Sequence, residues 1–155
     1  MRLQPERLHA GDPRLGQVLA LIQQSFAYME GRVDPPSSIH RLTVEKLSAG
    51  CNTSEVWVWG APPVACVFLT PRPVCLYLGK FAVAQSHQGQ GMARQMVDHA
   101  LGRAHMLNLP ALEVQTRVEL TENHTAFTRL GFVKTSEGSH PGYDRITEIT
   151  LRRAL

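Results

Sequence analysis

The chain has 155 residues, 43% of them hydrophobic and 19% charged, and a formal net charge of +3. This length suits one domain, which we expect to cover residues 1–155. The charge is mild and dispersed, which argues against a nucleic-acid-binding protein but is compatible with an anionic cofactor. The three cysteines form no CxxC pair, and no spacing of histidines or cysteines indicates a metal site.

Membrane and export signals are also missing from the sequence pattern. No apolar run reaches the ~18–20 residues that span a membrane. The first residues lack the apolar core of a signal peptide. We therefore expect a cytoplasmic protein without a membrane partner.

The first third of the chain predicts a short edge strand followed by two helices. The strand is expected over residues 2–8, and Asp12 then begins a helix whose apolar positions recur at helical spacing up to Phe26. Residues 31–38 are rich in Gly, Pro and Ser and interrupt the helical pattern. A second helix is expected over residues 39–47.

Strands predominate in the remainder of the chain. An antiparallel meander is predicted over residues 55–59, 64–69 and 74–83. Further elements are predicted as a helix over 93–108, a strand over 112–116, a helix over 121–130 and strands over 132–136 and 145–151. The strand–helix–strand order around residues 74–117 predicts a right-handed crossover and one parallel strand pair. The whole pattern indicates one mixed α/β domain.

The most informative segment is Gln88-Gly89-Gln90-Gly91-Met92-Ala93, at the junction of a predicted strand and a predicted helix. Glycines let the backbone approach a ligand closely, and the first amides of a helix lack intrahelical partners. Such a turn is a natural site for a phosphate or pyrophosphate. It lacks the third glycine of a dinucleotide-binding fingerprint and the Lys-Ser/Thr of a P-loop. On the glycines alone, a plain strand-to-helix turn is the alternative.

A wider pattern resembles the acetyl-CoA motif Q/R-x-x-G-x-G/A of the GNAT (Gcn5-related) N-acetyltransferases. Gln88, Gly91 and Ala93 fill its three positions, behind a strand over residues 76–83. Residues 123–132 resemble the family's short helix and its closing Leu-Gly-Phe turn. The resemblance implies the GNAT fold, an α/β (α+β) domain with a mixed, mostly antiparallel sheet. It implies six or seven strands, splayed at the centre, with about four helices on both faces.

Four further segments resemble recurrent segments of one bacterial subgroup of this family. They are residues 25–29, 34–38, 119–124 and 140–144. This second resemblance implies no particular acceptor. Homodimers are frequent in the family, so the resemblance leaves a homodimer open.

The resemblance implies an N-acetyltransferase that moves an acetyl group from acetyl-CoA to a primary amine. The acceptor is then a small molecule or peptide that attacks directly in a ternary complex. Backbone groups of the splayed strand are implied to pair with the pantetheine arm, and amides of the glycine turn to hold the pyrophosphate. The implied cofactor-binding residues are Phe81, Ala82, Val83, Gln88, Gly89, Gln90, Gly91, Met92, Ala93, Asn123 and Phe127.

The residues for proton transfer are where the sequence departs from the family pattern. Phe127 stands where many members have a tyrosine as general acid, and Tyr77 stands where many have a glutamate. We therefore expect the catalytic groups among Tyr77, Tyr143 and Glu113, because each can exchange a proton. Packing of Tyr77 and Tyr143 against their own strand or loop is the alternative. The missing tyrosine also motivates another reading of the whole chain, a non-catalytic acyl-CoA-binding or regulatory module.

The acceptor side is expected at the end of the first helix and in the loop after it. In the resembled family this region forms the acceptor wall. Tyr28, Glu30 and Asp34 fall there, and the acidic pair is suited to attract a cationic amine. A solvated loop is the alternative.

Overall fold

The computed structural model describes residues 2–155 and contains one seven-stranded sheet in the order β1-β2-β3-β4-β5-β7-β6. The strands are β1 (Pro5–Leu8), β2 (Glu55–Trp59), β3 (Ala65–Arg72), β4 (Cys75–Val83), β5 (Ala111–Arg117), β6 (Val133–Gly138) and β7 (Glu148–Ala154). The helices are α1 (Leu15–Phe26), α2 (Val44–Gly50), α3 (Met92–Met106) and α4 (Thr121–Arg129). No helix within residues 2–155 has both the length and the apolar character that a membrane crossing requires.

The predicted fold class is confirmed. All neighbouring strands are antiparallel except β4 and β5, which form the predicted parallel pair across the α3 crossover. The predicted helix over residues 39–47 is wrong in its start. A 3-10 turn covers Ile39–Arg41, and α2 begins only after Thr43, whose hydroxyl accepts a hydrogen bond from the Lys46 amide at 3.1 Å. This cap fixes the beginning of the helix.

Two apolar layers cover the two faces of the sheet. Helix α3 packs on one face with the buried side chains of Met96, Val97 and Ala100, which lie against β4 and β5. Helix α1 packs on the other face with Val18 and Ile22, in a separate cluster. Successive side chains of a strand point to opposite faces of the sheet, so that alternate residues pack in each of the two layers. The central strands are therefore rigid supports for any group between them.

The sheet opens at its centre. Strands β4 and β5 pair only through Leu76–Leu112, Tyr77–Glu113 and Leu78–Val114. Beyond these pairs β4 continues to Val83 without a partner on this side. The splay expected from the sequence is thus present.

A β-bulge marks the start of the opening. Phe68 of β3 pairs with Gly79, whereas Cys66 pairs with Ala82, so β4 carries one extra residue. The residue in the left-handed conformation is Lys80, with φ of 48°, and not the neighbouring Gly79.

Candidate active site

The glycine turn is built by hydrogen bonds from its own glutamines. The Gln88 side-chain amide donates to the Val83 carbonyl at 3.1 Å, and the Gln90 side-chain amide donates to the Ser86 carbonyl at 3.1 Å. Gly89 and Gly91 have φ of 74° and 81°, which L side chains rarely adopt. The turn therefore depends on glycine at both positions.

The turn presents unpaired backbone amides at the start of α3. Within residues 2–155, the amides of residues 89–94 donate to no protein acceptor, and the first bonded amide is that of Gln95, to the Gly91 carbonyl at 3.1 Å. A Cβ added at Gly89 or Gly91 would meet nothing within 4 Å, so the space above the amides is open. These amides, together with the positive end of the helix dipole, suit a pyrophosphate.

A cleft of about 660 Å³ occupies the opening between β4 and β5. The end of α1 and one side of α4 complete its walls. Seven of the predicted cofactor-binding residues line it: Phe81, Ala82, Val83, Gln88, Ala93, Asn123 and Phe127. The other four, Gly89, Gln90, Gly91 and Met92, form the turn between Gln88 and Ala93 and offer their amides. The structure thus brings all of these predicted residues to one site.

Phe127 forms an apolar wall of the cleft. Its ring lies edge-on to Phe81 and to Phe132, with centroid distances of 5.5 and 5.4 Å. On the same helix, the Asn123 side-chain amide donates to the hydroxyl of Tyr28 at 3.0 Å. Tyr28, predicted for the acceptor wall, also lines the cleft.

An inner pocket of about 240 Å³ extends the cleft along β5 and β7. Tyr77 lines both cavities, and its hydroxyl lies 3.5 Å from the side-chain oxygen of Gln115. The Arg72 guanidinium lies 3.8 Å from the centroid of its ring. Burial raises the pKa of the Tyr77 hydroxyl; the Arg72 guanidinium opposes this shift in part, and the Glu148 carboxylate adds to it. Tyr77 therefore keeps its proton at neutral pH and can donate it.

Tyr143 lines neither the cleft nor the inner pocket. Its hydroxyl donates to the Asp34 carboxylate at 2.7 Å, and Arg145 donates to the same carboxylate at 3.0 Å. These two bonds lower the pKa of Asp34, and the bond to Asp34 raises the pKa of Tyr143. Tyr143, predicted for catalysis, and Asp34, predicted for acceptor attraction, are thus hydrogen-bonded to each other, and both roles stay predictions.

Glu113 and Glu30 are also away from the cleft. The Glu113 carboxylate accepts a hydrogen bond from Arg152 at 2.7 Å, an ion pair that the strand order β5-β7 makes possible. Glu30 lines a pocket of about 280 Å³ between the end of α1 and the following loop, which adjoins the cleft through shared lining residues such as Phe26 and Met29. Of the predicted catalytic residues, only Tyr77 faces the cavities.

One ion pair and one hydrogen bond connect the loop after α1 to the segment that contains the end of β5 and α4. Arg32 binds the Glu122 carboxylate with both guanidinium nitrogens, at 2.7 and 2.9 Å. Arg117 donates to the Pro35 carbonyl at 2.7 Å. Together with the Asp34 contacts, these bonds hold the loop after α1 against α4 and the end of β5.

Several side chains of the cavities were not found from the sequence. Lys80 lines the cleft, and Gln115, Arg117 and Glu148 line the inner pocket. Alternation along β5 places Gln115 on the same face as Glu113 and was a usable signal. Thr116 lines both cavities, is 8% exposed, and its hydroxyl has no hydrogen-bond partner within residues 2–155.

An open central sheet beside an amide-lined helix start defines a class of acyltransferases. The family model described as "Acetyltransferase (GNAT) family" matches residues 20–132, and the chain belongs to this family. The predicted enzyme class, an acetyl-CoA-dependent acyltransferase, is thereby confirmed.

Solved structures of similar fold cover the whole chain. The IAA acetyltransferase from Bacillus cereus ATCC 14579 is 19% identical, with 99% of this chain and 100% of that chain covered and a TM-score of 0.68. A GNAT family acetyltransferase from Elizabethkingia anophelis with acetyl-CoA bound is 17% identical, with 99% and 98% covered and a TM-score of 0.69. The Bacillus subtilis acetyltransferase in complex with CoA is 16% identical, with 99% of both chains covered and a TM-score of 0.69. At these identities the likeness concerns the fold.

Proposed function

We propose that this enzyme transfers an acetyl group from acetyl-CoA to a primary amine of a small molecule or peptide. One observation carries the proposal: the unpaired edge of β4 beyond Leu78 leads directly to the unpaired amides of residues 89–94. A strand edge suits the amide-bearing pantetheine arm, and the amides suit a pyrophosphate. The complex of the Elizabethkingia acetyltransferase with acetyl-CoA and that of the Bacillus subtilis acetyltransferase with CoA support the same donor for this chain.

The residues of the donor side have separate roles in this proposal. Backbone groups of Phe81 and Val83 pair with the pantetheine arm, and Phe127 covers it as an apolar wall. Gln88 keeps the turn closed through its bond to the Val83 carbonyl. Acetyl-CoA supplies the activated acyl thioester, and the protein contributes by holding it beside the acceptor.

Tyr77 is the proton donor of the proposed reaction. The acceptor nitrogen forms a bond to the acyl carbon, the C–S bond breaks, and the departing sulfur takes a proton. Tyr77 is the one predicted catalytic residue on the cavity surface, and its raised pKa keeps the hydroxyl protonated. An ammonium acceptor loses a proton before attack, because only the neutral amine has a lone pair. The acceptor nitrogen thus loses two protons, one before attack and one as the amide forms. The departing sulfur takes one proton from Tyr77 or solvent, so that the ammonium form of the acceptor releases one proton net.

Two measurements test the proposal. Calorimetry with acetyl-CoA should show binding, whereas acetyl-pantetheine, which lacks the pyrophosphate, should bind at least tenfold more weakly. A thiol assay should detect CoA release with polyamines, amino acids, aminoglycosides or peptide N-termini. The best amine should be compared with its matched alcohol, which is expected to release no CoA. Binding without turnover of any amine would contradict the proposal and favour the non-catalytic acyl-CoA-binding module.

A further inference from the structure

The cleft contains one cation without a counter-charge. Two charged side chains line it, the ammonium of Lys80 and the carboxylate of Glu122, and Arg32 binds the Glu122 carboxylate. The Lys80 ammonium has no ion pair or hydrogen bond within residues 2–155 and lies 5.0 Å from the centroid of the Phe68 ring. Lysines in such half-buried positions usually have a carboxylate partner.

The position of Lys80 is set by the bulge of β4. Its φ of 48° is uncommon for a residue other than glycine, asparagine or aspartate. Backbone conformations of this kind concentrate at ligand sites, where surrounding structure maintains them. Burial lowers the pKa of the Lys80 ammonium, which an anion beside it would reverse. The bulge thus holds a cation at the cleft surface without compensation from the protein.

The inner pocket contains the complementary charge. Among residues 2–155 the Glu148 carboxylate has no arginine or lysine within 4.0 Å, and its one ionic neighbour there is the Nε2 atom of His140, at 4.0 Å. Glu148 lines the pocket together with Tyr77 and Arg117. Arg117 donates instead to the Pro35 carbonyl. Glu148 is therefore available to an ammonium group that enters beside Tyr77.

From these two groups we infer that the acceptor is an amino carboxylate, with its amine at Glu148 and its carboxylate at Lys80. Lys80 lines the cleft and Glu148 lines the inner pocket, and neither residue lines both cavities, whereas Tyr77 does. The amine and the carboxylate of the acceptor are therefore placed several bonds apart, as in a short peptide or an ω-amino acid. This inference rests on the proposed amine acetylation and specifies its acceptor. It replaces the expected attraction by Glu30 and Asp34, which lie elsewhere or are already paired.

Binding to the CoA-loaded full chain provides the test. The probes are glycylglycine and 6-aminohexanoate, each compared by calorimetry with its own carboxamide. We expect at least one carboxylate to bind tenfold or more tightly than its carboxamide. In Lys80→Met this preference should fall below threefold, whereas Lys80→Arg should retain it. Lys46→Met is the matched control, because Lys46 is exposed on α2 and donates to the Arg41 carbonyl outside the cleft.

Glu148→Gln gives an independent readout. Both members of each pair carry the amine, so this variant should weaken the carboxylate and the carboxamide by the same factor, about tenfold. Equal binding of carboxylates and carboxamides to the unaltered protein would overturn the inference. An unchanged preference for the carboxylates in Lys80→Met would also overturn it. The same holds if Lys80→Met weakens acetyl-CoA binding but leaves that preference intact. Failure of the proposed function is seen separately, as absent CoA release in the thiol assay. Thermal melting of each variant verifies the fold.

Discussion

Replacement of Gly91 by alanine probes the anion site through backbone strain alone. Gly91 has φ of 81°, and a Cβ added there would meet nothing within 4 Å, so no clash contributes in the free protein. A left-handed conformation costs an L residue about 1–2 kcal/mol. If the turn keeps its shape, the free energy of unfolding falls by that amount, and Tm falls by about 2–4 °C per kcal/mol for a domain of this size.

If the turn relaxes instead, the same strain reappears when the donor binds. Its amides must then return to their positions, and the acetyl-CoA Kd rises by a factor of about 5–30 for 1–2 kcal/mol. The sum of the two losses, in stability and in binding, is therefore the predicted quantity. A ligand that approaches the backbone within van der Waals contact of the new methyl group increases the binding loss further.

The matched control lies in the same helix. Gly102 of α3 has a helical φ, and a Cβ there would also meet nothing within 4 Å. Gly102→Ala is expected to stabilise the protein by about 0.5–1 kcal/mol and to leave acetyl-CoA binding unchanged. Calorimetry and thermal melting measure both variants. Unchanged stability and unchanged affinity in Gly91→Ala would refute the reasoning, as would equal effects of the two substitutions.

Three further predictions concern proton transfer, the acceptor loop and the core. Tyr77→Phe should reduce kcat by about 10²-fold or more, the lower end of what a positioned proton donor contributes, with Tm within 2 °C; a loss below threefold in steady-state assays would exclude the role. Tyr143→Phe should leave kcat within twofold but raise the pKa of Asp34 towards its ordinary value, which carbonyl NMR titration follows. Because that pKa is lowered in the folded state, Asp34 stabilises the protein above its unfolded pKa and stops doing so as the pH falls through the folded value. Arg103→Met should lower the free energy of unfolding by about 3 kcal/mol in urea, because it leaves the buried Glu55 carboxylate without its bidentate partner; a loss under 1 kcal/mol would contradict this.

The order of the elements was predictable because each long segment carries its own periodicity. Strand β2 was predicted with its observed bounds, Glu55–Trp59, and α3 within two residues at both ends. The turn at Gln88–Ala93 was predictable for the same reason, since all of its determinants are adjacent in sequence. The start of α2 was missed because the predicted helix over residues 39–47 included Thr43, whereas Thr43 is the residue that caps the observed helix.

Contacts between distant segments were not predictable. Tyr143 and Asp34 are 109 residues apart, and nothing local shows that they form a hydrogen bond. Glu113 is neutralised by Arg152 only because β7 lies beside β5, a register that the sequence does not specify. Glu148 reaches the inner pocket through that same register. The sequence therefore could not show which of the residues predicted for catalysis have partners on distant segments; Tyr143 and Glu113 stay predictions.

The central opening also gives the molecule a protected sheet edge. Exposed edges recruit further strands, and natural proteins usually block them with charges, prolines or bulges. Here the edge of β4 beyond Leu78 lies inside a cleft, behind the bulge at Lys80. A donor paired along this edge acts as a substitute strand. We expect the ligand-free enzyme to aggregate faster on mild heating than the CoA-saturated enzyme, beyond the difference that their melting temperatures explain, because binding removes an interior template for strand addition from the described sheet.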